Sequence, residues 1–194
     1  MAAQVELRFF GHSYPSRKAL WASDALRMTS FLFSREAKMS STAPKMNRSI
    51  EDLTLNVTQE IHVRASLEAT FAALLEQLGP QSDTPDRKPM PLKIEPWPGG
   101  RWYRDLGDNN GHLWGHVQAI KRPTLLEFTG PLFMSYPVCS NVQYRLSEVD
   151  GGTLIKFHHT ALGLIQDEHR TGVVGGWGHI NESVRKRAEG QHLH

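Results

Sequence analysis

Apolar and polar residues alternate closely from Asp52 onward, which is typical of strands with one buried face. In the first run, polar residues separate four apolar ones: Leu55, Val57, Ile61 and Val63. Ser66 then offers an N-cap hydroxyl to a helix whose apolar residues recur at helical spacing: Leu67, Phe71, Leu74 and Leu78. Gly79-Pro80 ends this helix, because glycine adopts the left-handed cap and proline cannot continue it. The polar, proline-rich residues 81–91 are predicted to form a surface loop.

Short strands separated by turn residues follow this loop. We predict strands over residues 92–97, 101–106, 112–121, 124–130, 141–147 and 153–160. Asparagine and glycine adopt positive φ at low cost, so residues 107–111 and 150–152 are predicted turns. Connections this short favour antiparallel neighbours, and the strands should therefore form a meander.

The chain ends in a predicted amphipathic helix. Its apolar residues fall on one stripe of a 3.6-residue period: Val173, Trp177, Ile180 and Val184. Cations in its last turns, over 185–187, suit the negative end of the helix dipole. Glycine costs roughly 1 kcal/mol against alanine inside a helix, so we take Gly172 to mark a broken or late-starting helix. Three further glycines leave open a close approach to the sheet or to a ligand: Gly175, Gly176 and Gly178.

These elements predict an α+β architecture. An antiparallel sheet of about six or seven strands has one apolar face that must be covered. The C-terminal stripe is the long apolar helix face available in the sequence, so a curved sheet should wrap on that helix. The space between them is the default site for a ligand.

Composition separates a leader from the domain. Residues 1–50 carry eight Lys and Arg against three Asp and Glu and are rich in serine. This composition suits either an organelle transit peptide or a non-native or disordered extension, with Met39 and Met46 as alternative starts. The domain is predicted over 51–190, followed by a tail over 191–194.

Charge and cysteine content exclude several classes of function. The net charge of +2 and the lack of interleaved basic and aromatic residues give no support to nucleic-acid binding. No run of about 18 apolar residues indicates a membrane span, and we expect a cytoplasmic protein. With the single Cys139 and badly spaced histidines, we expect no metal site and no cofactor.

Strand parity places two polar side chains toward the expected cavity. His159 shares its face with Ile155 and Phe157, and Tyr144 has the same parity on the preceding strand. The imidazole could bind a ligand oxygen or transfer a proton, and a Tyr/His pair would suit cyclisation or dehydration. The alternative for His159 is a structural histidine bonded to a backbone carbonyl.

The expected lining of the cavity is mainly aromatic. We predict that eight residues contact a ligand there: Trp102, Val117, Phe128, Tyr144, Phe157, His159, Trp177 and Ile180. Trp114 is predicted to face outward, because Leu113 and Val117 make the better apolar face. Between His112 and His116 it would then form a candidate partner surface.

Several motifs, in this order, resemble one known family. They are Pro98-Gly99-Gly100-Arg101-Trp102, Gly115-His116-Val117, Arg122-Pro123 with Leu126-Glu127-Phe128-Thr129, Gly151-Gly152-Thr153 and Gly176-Trp177. With the order of elements, which begins at Val57, the resemblance covers about 130 residues. The chain resembles homologues of the activator of the heat-shock protein 90 ATPase, within the START-like or SRPBCC superfamily. It departs from their pattern in the loop 79–91 and in the glycine-rich segment 161–178.

The resemblance implies a helix-grip fold with a hydrophobic cavity between sheet and helix, and no universal catalytic residue. Three hypotheses follow. The first is a domain that binds a small hydrophobic molecule without catalysis. The second is a cyclase or dehydratase that uses His159 and Tyr144. The third, suggested by the family alone, is a stress-response module that activates a chaperone ATPase.

Overall fold

The computed structural model describes residues 49–134 and 136–191, in which one antiparallel sheet packs against a long C-terminal helix. In chain order the elements are α1 (Ile50–Leu53), β1 (Thr54–Val63), α2 (Leu67–Gln77), β2 (Lys93–Ile94), β3 (Arg101–Gly107), β4 (Asn110–Lys121), β5 (Leu125–Gly130), β6 (Val138–Val149), β7 (Gly152–Gly163) and α3 (Asp167–Ala188). The predicted leader, except for its last two residues, and the tail, except for Gln191, lie outside the described residues.

Strands β2 to β7 form the predicted meander, and β1 joins its far edge beside β7. The strands of the sheet lie in the order β1-β7-β6-β5-β4-β3-β2, and every neighbouring pair is antiparallel. The predicted strand over 92–97 shrinks to Lys93–Ile94, because Pro96 and Pro98 have no N–H to donate to a ladder. Asp108 and Asn109 have φ of 49° and 59°, as the predicted turn requires.

Helix α3 is continuous from Asp167, so the expected break at Gly172 is wrong. Contacts outside the helix hold its first turns. The Arg170 guanidinium donates to the backbone carbonyls of Asp52 in α1 and of Thr54 at the start of β1, and His169 Nδ1 lies 2.9 Å from the Tyr136 hydroxyl. These interactions offset the low helix propensity of the glycines.

The predicted apolar stripe covers the inner face of the sheet. Val173, Trp177 and Val184 are buried, and Ile180 is partly buried against the same core. Strand residues of the same core pack beneath them: Leu126, Phe128, Val142, Ile155 and Phe157. Helix α2 closes the other side of the core with Phe71 and Leu74.

A buried polar chain also joins α3 to the sheet. The Tyr144 hydroxyl on β6 donates to Asn181 Oδ1 at 2.9 Å, and Asn181 Nδ2 donates to Gln59 Oε1 on β1 at 2.7 Å. Tyr144 and Asn181 are at most 1% exposed. Burial raises the pKa of Tyr144 well above its ordinary value, so the hydroxyl keeps its proton.

We expect Tyr144→Phe to lower the free energy of unfolding by about 1–2 kcal/mol, because Asn181 Oδ1 loses its buried donor. Urea denaturation measures the change. Tyr103→Phe is the control, since the half-buried Tyr103 hydroxyl has no hydrogen bond among the described residues. Equal stabilities for the two variants would show that the buried chain does not hold α3.

Candidate functional site

A cavity of about 270 Å³ lies beside the first half of α3. Its wall is almost entirely apolar, and four aromatic side chains dominate it: Trp102, Trp114, Phe133 and Trp177. Leu132, Val173 and Ile180 complete the apolar wall, and the loop between α2 and β2 closes one side with Asp83, Thr84, Pro85 and Met90.

Two glycines on α3 leave room for this cavity. Gly172 and Gly176 are one helical turn apart, and both line it. A Cβ built at either position would meet no atom within 4 Å outside the helix's own backbone. The glycines therefore serve neither close packing nor a turn. They leave open space at a position where a larger side chain would enter the cavity.

Trp114 lines the cavity, so its predicted outward orientation is wrong. Trp102 pairs with Gly115 while Tyr103 pairs with Leu113, and Trp114 is the extra residue of a β-bulge between them. The bulge reverses the alternation, so Leu113 is 48% exposed and the Trp114 ring packs 5.0 Å from Trp102. The candidate partner surface between His112 and His116 is not formed by this indole.

A polar clasp fastens the loop of residues 82–90 to α3. The Asp83 carboxylate accepts from Gln77 Nε2 at 2.9 Å, from His179 Nε2 at 3.0 Å and from Arg87 at 3.2 Å. Burial would raise the pKa of Asp83, but the hydrogen bonds from Gln77 and His179 outweigh it and the pKa is lowered. Arg87 also donates to Ser183 Oγ on α3 at 3.2 Å. The clasp thus holds the loop over the cavity.

The structure divides the eight predicted ligand-contacting residues into two groups. Trp102, Trp177 and Ile180 line the cavity. The other five lie in the packed core and are not part of its wall: Val117, Phe128, Tyr144, Phe157 and His159. These strand residues do face the inside of the sheet, as predicted. The Trp177 ring covers them, however, with its centroid 4.7 Å from that of the Phe157 ring.

His159 is completely buried behind Trp177. Trp177 Nε1 donates to His159 Nδ1 at 2.9 Å, so the neutral ring carries its proton on Nε2. Burial and, to a smaller extent, the neighbouring His158 together lower the pKa of His159 to about 4. Nε2 is buried and has no partner among the described residues. Neither His159 Nε2 nor the Tyr144 hydroxyl lies at the cavity wall. The Tyr144 hydroxyl instead donates to Asn181 Oδ1.

Most residues of the wall are not among the predicted ligand contacts. Leu132 and Phe133 lie in a short segment between β5 and β6 that carries no periodic pattern. A usable signal was present in Gly172 and Gly176, since two costly glycines on the cavity-facing side of an amphipathic helix call for a reason. The departures from the family pattern, in loop 79–91 and segment 161–178, both contribute lining residues.

Neither a metal site nor a membrane-spanning helix is present in the described ranges, 49–134 and 136–191. They contain no group of three His, Cys, Asp or Glu side chains arranged to hold a metal ion. None of their helices combines the length and the apolar character that crossing a bilayer requires.

A family model described as Activator of Hsp90 ATPase homolog 1-like protein matches residues 64–189. No curated protein sequence matches the chain. Solved structures do. A putative uncharacterized protein from Rhizobium leguminosarum is 16% identical, with a TM-score of 0.56 over 71% of this chain and 96% of that one.

Two further structures share the fold. Ara h 8.0201 is 16% identical, with a TM-score of 0.52 over 71% of this chain and 99% of its own. StfQ, a di-domain ARO/CYC from the steffimycin biosynthetic pathway, is 13% identical, with a TM-score of 0.53 over 73% of this chain and 52% of its own. At these identities the likeness shows the fold alone, which is the helix-grip fold of START-like proteins.

The buried His159 makes stability depend on pH. Its folded pKa of about 4 lies below the unfolded value of about 6.5. The contribution of His159 to the free energy of unfolding is therefore complete above pH 6.5. It is lost as the pH falls toward 4, because the imidazole of the unfolded chain is protonated at a higher pH than that of the folded protein. We expect the loss to reach about 3 kcal/mol relative to a variant without the group.

His159→Asn is that variant, because an amide oxygen can accept from Trp177 Nε1 and does not titrate. Urea denaturation of both proteins between pH 4 and 8 measures the difference. Two parallel pH profiles would contradict the assignment of a buried, neutral imidazole.

Proposed function

The chain belongs to the family of Activator of Hsp90 ATPase homolog 1-like proteins, and on that premise we propose that it binds a small hydrophobic molecule between α3 and the sheet. The observation that carries the proposal is the cavity at Trp102, Trp114 and Trp177, with Gly172 and Gly176 facing it. Cores are normally packed without such voids, and each void costs stability. A cavity kept open by glycines in a helix is therefore best explained by an occupant.

The size of the cavity limits the ligand. Binding sites for drug-sized molecules span about 300–1,000 Å³, and this cavity has about 270 Å³. The ligand is therefore a small molecule of about two fused rings. Three wall residues exposed to solvent mark the mouth through which it enters: Pro85, Phe133 and Gly172.

The two other hypotheses have less support. Catalysis by His159 and Tyr144 would need a substrate to pass Trp177, since both residues are fully buried and Tyr144 already donates to Asn181. The unpartnered His159 Nε2 is the feature that favours it. Activation of a chaperone ATPase is supported by the family description alone, and no surface of residues 49–134 and 136–191 adds to that support.

Filling the cavity should abolish binding. We expect Gly176→Met to weaken the binding of naphthalene, measured by equilibrium dialysis, by at least about tenfold, because the new side chain occupies the open space. The variant should still fold, since methionine raises helix propensity by roughly 1 kcal/mol over glycine.

Gly175→Met is the matched control, because Gly175 is the adjacent helical glycine, is exposed and does not line the cavity. It should bind naphthalene within about twofold of the wild type, as exposed substitutions change little. Equal affinities of the two variants would place the ligand elsewhere. A wild-type protein that takes up neither naphthalene nor decanoate would refute the proposed function.

A further inference from the structure

We infer that the cavity selects flat hydrocarbons without hydrogen-bonding groups over hydroxylated analogues of the same shape. This inference rests on the proposed function and names the class of ligand. It follows from the hydrogen bonds that the polar atoms around the cavity make within the protein. Because those atoms are already paired, a ligand hydroxyl would lack a partner, and this loss would disfavour the hydroxylated ligand.

Two of the cavity's three indoles donate their N–H groups to acceptors within the protein. Trp102 Nε1 donates to the Leu78 carbonyl at 2.6 Å, and Trp177 Nε1 donates to His159 Nδ1 at 2.9 Å. Both bonds point these donors at protein acceptors, away from any guest. What Trp102 and Trp177 offer a ligand is therefore their ring carbons, which favour flat apolar partners.

The polar residues of the wall are paired in the same way. Asp83 accepts three hydrogen bonds, and one of them occupies His179 Nε2. The Thr84 hydroxyl donates to Asp86 Oδ1 at 2.5 Å and accepts from the Lys88 N–H at 3.1 Å. The wall consequently presents almost no polar surface to the cavity, although three polar residues line it.

A ligand hydroxyl that enters this space gives up its bonds to water and meets a wall with almost no polar surface. Burying a hydroxyl without a partner lowers affinity by a factor of about 10 to 100. A single hydroxyl could avoid this loss by pointing out of the mouth at Pro85 and Phe133. A molecule with hydroxyls at both ends must bury one of them.

The test compares 2,6-dimethylnaphthalene with 2,6-dihydroxynaphthalene, which have nearly the same shape, by equilibrium dialysis against the full-length protein. We expect the dimethyl compound to bind at least about tenfold more tightly. Equal or tighter binding of the diol would overturn the inference and leave the proposed function standing. If neither compound nor naphthalene binds, the proposed function itself fails.

A matched pair of variants tests the cause. Gly176→Ser adds a hydroxyl to the wall, and Gly176→Ala adds the same Cβ without one, in space that is open. We expect the serine variant to bind the diol about three- to tenfold more tightly than the alanine variant, with equal affinities for the dimethyl compound. Equal affinities for the diol would show that the missing partner does not set the selectivity.

Discussion

The packing of Trp177 between the sheet and the cavity is the interaction on which the rest of the structure depends. The Trp177 ring packs on Phe157, and its centroid lies 6.4 Å from the centroid of the Tyr144 ring. The same indole also forms part of the cavity wall. Its N–H is fixed by His159. A curved sheet needs a helix to cover its apolar face, and Trp177 closes the core beneath α3 so that the remaining space becomes a separate cavity.

The polar groups explain why that space stays apolar. The Trp102 and Trp177 indole N–H groups and the Asp83 carboxylate have partners within the protein. Such pairing is what burial demands of any polar group. Under the proposed function it has a second effect, because a bound ligand would meet a wall with almost no polar surface. We infer that the hydrogen bonds that stabilise the fold also determine which molecules the cavity accepts.

Much of the fold could be predicted from the sequence, because the strands alternate regularly and the turns carry asparagine and glycine. The stripe through Val173 and Trp177 identified the helix that covers the sheet, and the motif order identified the family. The site was harder. Parity along a strand holds only while the pairing is regular, and the bulge at Trp114 reversed it. Parity also indicates which face of the sheet a residue occupies, but not how deeply a large neighbour buries it. Trp177 covers His159 and Phe157, so both lie below the cavity wall although their parity is inward.

The most direct test of a dry, open cavity is a crystal structure determined under xenon pressure, because apolar cavities stay empty of water and bind xenon. We expect xenon within the space bounded by Trp102, Trp177 and Gly176. Ordered waters hydrogen-bonded across that space, or side chains collapsed into it, would contradict the account.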